Sequence, residues 1–429
     1  LADALCGKLT KYHNKSLPGD AVTQTAPITN ILETSAFDPV AKADPHARLK
    51  PLREQCPVFR DEVTKAWMFS RYADVRATVN DRTLWRNGEH AEEGSFARFL
   101  LRDDNKHLPP GERQSILTMD DPDHARIRGP LAKALYARVA KARPKIDAIV
   151  ADVLDGVQGK ASFDLINEVA IPIPIVTIAR ILGVDDTRLP EFRDWSEGLI
   201  LGLNPVRSPE ETAHMERSSA AMEAYFTELM AARRAKAEDD LVSDMVGLQA
   251  EGAELSDIEV RINLVALLVG GNLTTTDLIG NGVRLFLLNP EQKAKLVADP
   301  SLVPGAVEEI LRYEGPVDIT GRVNDREREI GGCPIHTGQS MVMSLRGANR
   351  DPDVFERPDE FDITRKGTPH VSFGGGAHIC IGAPLARMEA VSFFSSFFQR
   401  FPTLKLVDEP PQWRALPFFR GLERLRVEV

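Results

Sequence analysis

"FGGGAHICIG" occupies residues 373–382, and "APLARMEAVSFF" follows it directly. Gly374, Gly375 and Gly376 lead to a lone thiol, Cys380, with His378 two positions before it. Glycine admits positive φ and lets backbone amides crowd a neighbouring atom. Gly382 and Pro384 mark a helix start just past the sulfur, because proline suits a helix's first turn. The unpaired amides and positive end of that helix then face Cys380, which favours a thiolate. The plainer reading is a buried, inert cysteine beside a glycine turn. Zinc does not suit the stretch, since His378 and Cys380 have no companions at ligand spacing.

Composition narrows what such a thiol could serve. The chain has 429 residues, 43% hydrophobic and 27% charged, with a formal net charge of −10. That acidic balance argues against a nucleic-acid partner, whose phosphates need clustered Lys and Arg. The four cysteines, Cys6, Cys56, Cys333 and Cys380, form no C-x-x-C pair, which points to a reducing compartment. The start has no sustained apolar run, and no stretch approaches the ~18 apolar residues of a membrane span. The expectation is a cytoplasmic protein with no membrane partner.

Residues 1–35 read as a polar N-terminal arm, and residues 36–429 as one domain. "PVFRD" and "KAWMFS" (57–70) read as strands, and "YADVRATV" (72–79) as a helix. From about 122 to 250 the pattern is helical with Pro/Gly breaks, and "EVAIPIPIVTIARILGV" (168–184) is too apolar for a surface helix. The longest helical candidate is 256–292, opened by Ser256 and Glu259 at capping-box spacing and apolar nearly all round, so it should cross the core. "LVPGAVEEILRYEG" (302–315) predicts a short helix, and "REREIGG" and "QSMVMSL" predict strands. Helix outweighs strand, and strands near both ends of the sequence must pair across it. The fold class is therefore mainly α with small β-sheets (α+β).

Phe373, Gly376, His378, Cys380 and Gly382 together spell F-x-x-G-x-H-x-C-x-G. This resembles the haem-binding loop of the cytochrome P-450 family. The resemblance implies a haem b cofactor (iron protoporphyrin IX) with the Cys380 thiolate as axial ligand, and Phe373, Gly374 and Gly382 around it. It implies a fold in which the haem lies between a long central distal helix and the helix after the cysteine. "EILR" supplies Glu309 and Arg312 at the family's Glu-x-x-Arg position, and "PDEFDITR" supplies Arg365 as the third member of that structural network. "DDPDHARIR" supplies His124 and Arg128, one helical turn apart, and with Arg322 and His378 they make the implied set for the two haem propionates.

"LLVGGNLTTTDLIG" (267–280) carries Gly270, Gly271, Asn272 and Thr274. Paired glycines weaken a helix by about 1 kcal/mol each, so something large approaches there or helices pack closely. In the family this groove receives dioxygen, and the threonine hydroxyl assists its activation. The residue before that threonine is commonly an acid that relays protons; this chain has Leu273. Asn272, Thr275 and ordered water are the substitutes the sequence offers.

The resemblance further implies an apolar pocket lined by "FARFLL" (96–101), "EGLILGL" (197–203), Val265, Val269, Val317, Ile319 and Phe418. Asp318 in this company is either a solvent-facing acid or a polar anchor for substrate. The implied activity is monooxygenation, hydroxylation or epoxidation of a small to medium hydrophobic substrate. Electrons would come from a ferredoxin and its reductase, docking on the face around Cys380, with Arg126, Lys133, Arg138 and Arg387 as candidate charges. The chain is expected to be monomeric. A peroxide-using or non-oxygenating haem-thiolate enzyme (isomerase, dehydratase or ring-closing) is the alternative that Leu273 favours. A haem-binding sensor or carrier is the alternative of another class.

Overall fold

Ser256 and Glu259 cap the longest element. The Ser256 hydroxyl accepts from the Glu259 amide at 3.1 Å, and the Glu259 carboxylate accepts from the Ser256 amide at 2.8 Å. From this capping box the central helix Asp257–Leu288 runs 32 residues, about 48 Å at 1.5 Å per residue. By length and composition it could cross a membrane, which the sequence reading did not anticipate; 61% of its most apolar window is buried inside the protein. Leu264, Leu268, Leu278, Ile279, Val283 and Phe286 are at most 1% exposed, so it is a core helix.

The computed structural model describes residues 28–100, 115–204 and 207–429. Helices pack on both flanks of the central one. Pro172–Leu182, preceded by a π-helical turn at Ile166–Ala170, lies against it and is buried along most of its length. Prolines 172 and 174 are tolerated because they sit in its first turn, where amides are unpaired anyway. Val303–Glu314 and Ala383–Arg400 close the other side. The run "SFFSSFF" gives the last helix an aromatic face, with Phe393 stacked on Phe397 at 4.6 Å and Phe398 set edge-on to Phe286 at 5.2 Å. Each such ring removed from water contributes about 1.5–3 kcal/mol.

The main sheet has the strand order Val58–Asp61, Ala66–Phe69, Ser340–Ser344, Ile319–Val323. Its first pair is a hairpin with Val58 opposite Phe69. Ala66–Phe69 then runs parallel to Ser340–Ser344, with Ala66 opposite Ser340, joining the two ends of the sequence. Ser340–Ser344 is buried at every position. A second sheet sets Arg426–Glu428 between Ser162–Asp164 and Lys405–Leu406, antiparallel to both. Several strands were not foreseen, among them Ile319–Val323, Cys333–Ile335, Ser162–Asp164 and the short strands after residue 404; the first carries Gly321, which weakens any strand signal. Ile31 and Leu32, from the expected arm, are 1% and 4% exposed and pack with Leu49, Met68 and Phe418. The Ile31 amide donates to Asp61 at 2.9 Å. Residues 101–114, part of the expected "FARFLL" loop among them, lie outside the described residues.

One acid sits inside the helical core. Glu389, on Ala383–Arg400, is 1% exposed. Burial pushes its carboxyl up to about 8, and neither carboxyl oxygen has a hydrogen-bond partner among the described residues. The folded protein therefore holds a proton that the unfolded chain releases, and stability falls as pH rises from about 4.5 to about 8. Glu389→Gln should remove that slope. In thermal unfolding, its melting temperature relative to the parent should climb by at least about 2 °C across this window. An equal difference at both pH values would mean that Glu389 does not titrate there.

Candidate active site

The loop 373–382 is shaped by its glycines in two ways. Gly374 and Gly376 take φ of 68° and 63°, the left-handed region that favours glycine. Gly375 is extended and needs space instead. A Cβ there would lie 2.7 Å from Asn80 Oδ1 and 2.8 Å from Val79 Cγ2, and one on Gly376 would lie 2.7 Å from the Val79 carbonyl. The end of the helix Tyr72–Asn80 thus presses against the loop, and Asn80 Oδ1 accepts from the Gly376 amide at 2.9 Å. Nothing in the sequence marks Val79 or Asn80 as the loop's support.

The Cys380 amide donates to the Phe373 carbonyl at 2.9 Å, closing the loop on itself. Gly382 is the N-cap of Ala383–Arg400, with Pro384 in the first turn. Burial pushes the Cys380 thiol up, while the Gly382 amide, the Arg128 charge, the Ala383 amide and the Arg387 charge pull it down. Cys380 is nevertheless exposed, so the sulfur is open to a ligand. The arrangement suits a sulfur whose charge is neutralised by a bound metal cation.

Five basic side chains gather beside the loop. His124 is 2% exposed and its ring lies 4.2 Å from that of His378. Its Nδ1 contacts Asp121 at 3.3 Å, and its buried Nε2 has no partner among the described residues. Arg128 donates to the Ile379 carbonyl. Arg322, 4% exposed, donates to the carbonyls of Gly321 and Val79 at 2.8 and 3.1 Å. Arg86, which the sequence reading passed over, donates to the same Gly321 carbonyl at 2.5 Å. Burial, then the charges of Arg86, His124, Arg322 and Arg128, drive His378 down to about 2. Buried cations satisfied only by carbonyls are costly unless an anion joins them. A dianionic, iron-bearing porphyrin beside Cys380 fits this cluster on both counts.

The expected small-residue pair divides its work. A Cβ on Gly270 would meet nothing within 4 Å, whereas one on Gly271 would meet Ile178 at 3.1 Å. Gly270 borders open space and Gly271 serves helix packing. Thr274 is partly exposed and donates to the Gly270 carbonyl at 2.8 Å. Asn272 is not at the groove. It is fully buried, and its Oδ1 accepts from Arg193 at 3.4 Å. Leu273 and Thr275 are also buried, at 1% and 3% exposure. Of the Thr274–Thr276 run, only the Thr274 hydroxyl is open.

Among the other expected positions, Asp318 and Phe418 differ and the Glu309–Arg312–Arg365 network is formed. Asp318 is neither solvent-facing nor available to a substrate: it is 7% exposed and paired with Arg346 at 2.5 Å. Phe418 is 5% exposed, has φ of 66°, and sits edge-on to Phe96 at 5.8 Å in the N-terminal cluster. Val265 packs against the main core, while Val269, Val317 and Ile319 stay partly exposed. Glu309 and Arg312 form a doubly hydrogen-bonded pair at 2.8 Å, and Arg365 reaches Glu309 at 3.2 Å. Three of the four candidate docking charges are already paired: Arg126 with Glu259, Arg138 with Asp244 and Arg387 with Glu308. Lys133 remains exposed.

Residues 76–416 match the family model "Cytochrome P450". The chain is 39% identical to cytochrome P450 107B1 of Saccharopolyspora erythraea, over 91% of this chain and 96% of that one. It is 33% identical to 6-deoxyerythronolide B hydroxylase of the same organism, over 88% and 94%. Among solved structures, P450BioI in complex with hexadec-9Z-enoic acid ligated acyl carrier protein superposes with a TM-score of 0.82 at 33% identity, covering 90% of this chain and 98% of that one. With the cysteine loop, the cation cluster and the fold in agreement, the chain belongs to the cytochrome P450 family of haem-thiolate monooxygenases.

Proposed function

We propose that this protein hydroxylates or epoxidises a small to medium hydrophobic molecule, with Cys380 as the iron ligand and a ferredoxin with its reductase as electron source, in the cytoplasm. The observation that carries the reading is the juxtaposition of Cys380, at a helix N-terminus, with the guanidinium groups of Arg86, Arg128 and Arg322, none of which is paired with a carboxylate among the described residues. When bound, the haem supplies dioxygen activation: two electrons and two protons are consumed, one oxygen atom enters the substrate and the other leaves as water.

The chain's own residues prepare that chemistry. The Gly382 and Ala383 amides point at the Cys380 sulfur from the start of the following helix. His124, Arg128, Arg322 and His378 would hold the carboxylates of a bound haem. Gly270 leaves room beside the helix, and the Thr274 hydroxyl, resting on the Gly270 carbonyl, can turn its proton toward a polar group placed there. Leu273 carries no proton, so protons reach Thr274 through water in the groove. Val269, Val317 and Ile319 supply apolar lining, which supports a hydrophobic substrate. The fatty acyl group in the P450BioI complex shows such a molecule in a relative of the same fold. Buried Leu273 is the feature that favours the peroxide-using alternative. Product yield with a ferredoxin system against yield with peroxide alone separates the two.

The central test is spectroscopic. The reduced holoenzyme under carbon monoxide should give the far-red-displaced Soret band of thiolate ligation, and Cys380→His should lose that band; a parent protein without it would remove the reading. Thr274→Ala should keep the band and the haem content. The share of electrons ending in hydrogen peroxide should rise several-fold, measured as peroxide per nicotinamide oxidised. Unchanged coupling would deny Thr274 a role in proton handling.

A further inference from the structure

Arg86 lies between two chain segments and belongs to neither expected cation motif. Its Nε donates to the Leu117 carbonyl at 2.8 Å, and its Nη1 donates to the Gly321 carbonyl at 2.5 Å and to Thr320 Oγ1 at 3.1 Å. Arg322 Nη1 donates to that same Gly321 carbonyl at 2.8 Å. Two guanidinium groups therefore converge on one oxygen atom, like charges at short range in a poorly solvated place. Asp120 is the nearby acid, but it is engaged with main chain: it accepts from the amides of Arg86 at 2.5 Å and Asn87 at 3.1 Å. No carboxylate among the described residues forms an ion pair with either guanidinium. Burial lowers Arg86 to about 10 and, with the Arg86 charge, Arg322 to about 9. The Arg86 charge also acts on His378, so Arg86 faces the same cluster.

We infer that Arg86 is a further cation of the cofactor site, sharing a haem carboxylate with Arg322 across the Gly321 carbonyl. Its bonds through Nε and Nη1 fix the guanidinium plane and leave Nη2 for a further acceptor. A carboxylate set between the two arginines turns their repulsion into a charge-assisted clamp. The inference rests on the proposed placement of the cofactor beside Cys380, His124, Arg128, Arg322 and His378. Arg86 is a cofactor-positioning residue in this account and takes no part in proton transfer.

The test is haem loss from the holoenzyme to excess apomyoglobin, with Arg86→Gln and Arg86→Lys beside the parent. Arg86→Gln should release haem about ten-fold faster or more, and Arg86→Lys should fall between. The same series loaded with haem dimethyl ester, which has no carboxylates, should lose its cofactor at one common rate. Parental haem retention in Arg86→Gln would overturn the inference. A rate difference that persists undiminished with the ester would also overturn it, since Arg86 would then act through the fold. Should Arg86→Gln not fold, Arg86→Lys with the two cofactors decides by the same criteria. A parent lacking the thiolate Soret band would instead remove the cofactor placement itself, so the two failures are distinguishable.

Discussion

Glu309 and Arg312 meet where neither has more than 1% of its side chain exposed. A buried ion pair gains little over apolar packing, but losing one partner strands a charge at a cost of about 3–5 kcal/mol. This pair is also a hub. Arg312 donates to the carbonyls of Asn349, Pro358 and Glu360, and the Glu309 carboxylate accepts from the Asp362 amide and from Arg365. An irregular stretch from 349 to 365, which has little regular structure to define it, is thereby pinned to one helix. The preceding residue does the same on the other side. Glu308 binds Arg387 at 2.7 Å and His370 at 3.0 Å. Burial would raise its pKa, but those bonds outweigh it and hold it at about 2. Adjacent acids on Val303–Glu314 thus grip the approach to the cysteine loop and the helix that leaves it.

The central helix shows how packing and access share a short sequence. Gly270 and Thr274 are one turn apart on a single face and border the groove. Gly271 and Asn272 meet neighbouring helices, and Leu273 is buried. Thr274 and Thr276 both turn their hydroxyls onto carbonyls four residues back, at 2.8 and 3.0 Å, a habit that bends helices locally. Arg193 reaches Asn272 from the neighbouring helix Leu189–Ile200. Asn272 is therefore tied to the adjacent helix, away from the groove, and the position where an acid would relay protons is filled by buried hydrocarbon.

What the sequence made legible was contiguous or periodic. The cysteine loop, the capping box at Ser256 and Glu259, the Glu309–Arg312 spacing and the 3.6-residue pattern of the central helix each sit within a few positions of one another. What stayed hidden depends on partners far away in sequence. Asp318 reads as an odd acid among apolar residues because Arg346, which neutralises it, is 28 positions on. Val79 and Asn80 read as the end of an ordinary helix, yet they set the size limit on Gly375 and Gly376 nearly 300 positions later. Asn272 seems to face the groove only because its neighbours do; helical rotation carries it to the opposite side. Arg86 stands in "LWRNG" with no periodic or motif context at all.

The parallel pairing of Ala66–Phe69 with Ser340–Ser344 bears on how the chain is made. A ladder between partners some 270 residues apart cannot form until most of the polypeptide exists, and closing so large a loop is entropically slow. During synthesis at the ribosome the N-terminal hairpin must wait, its inner edge unpaired, while the helical middle emerges and packs first. That interval is when the nascent protein is most open to wrong strand partners and most in need of chaperones.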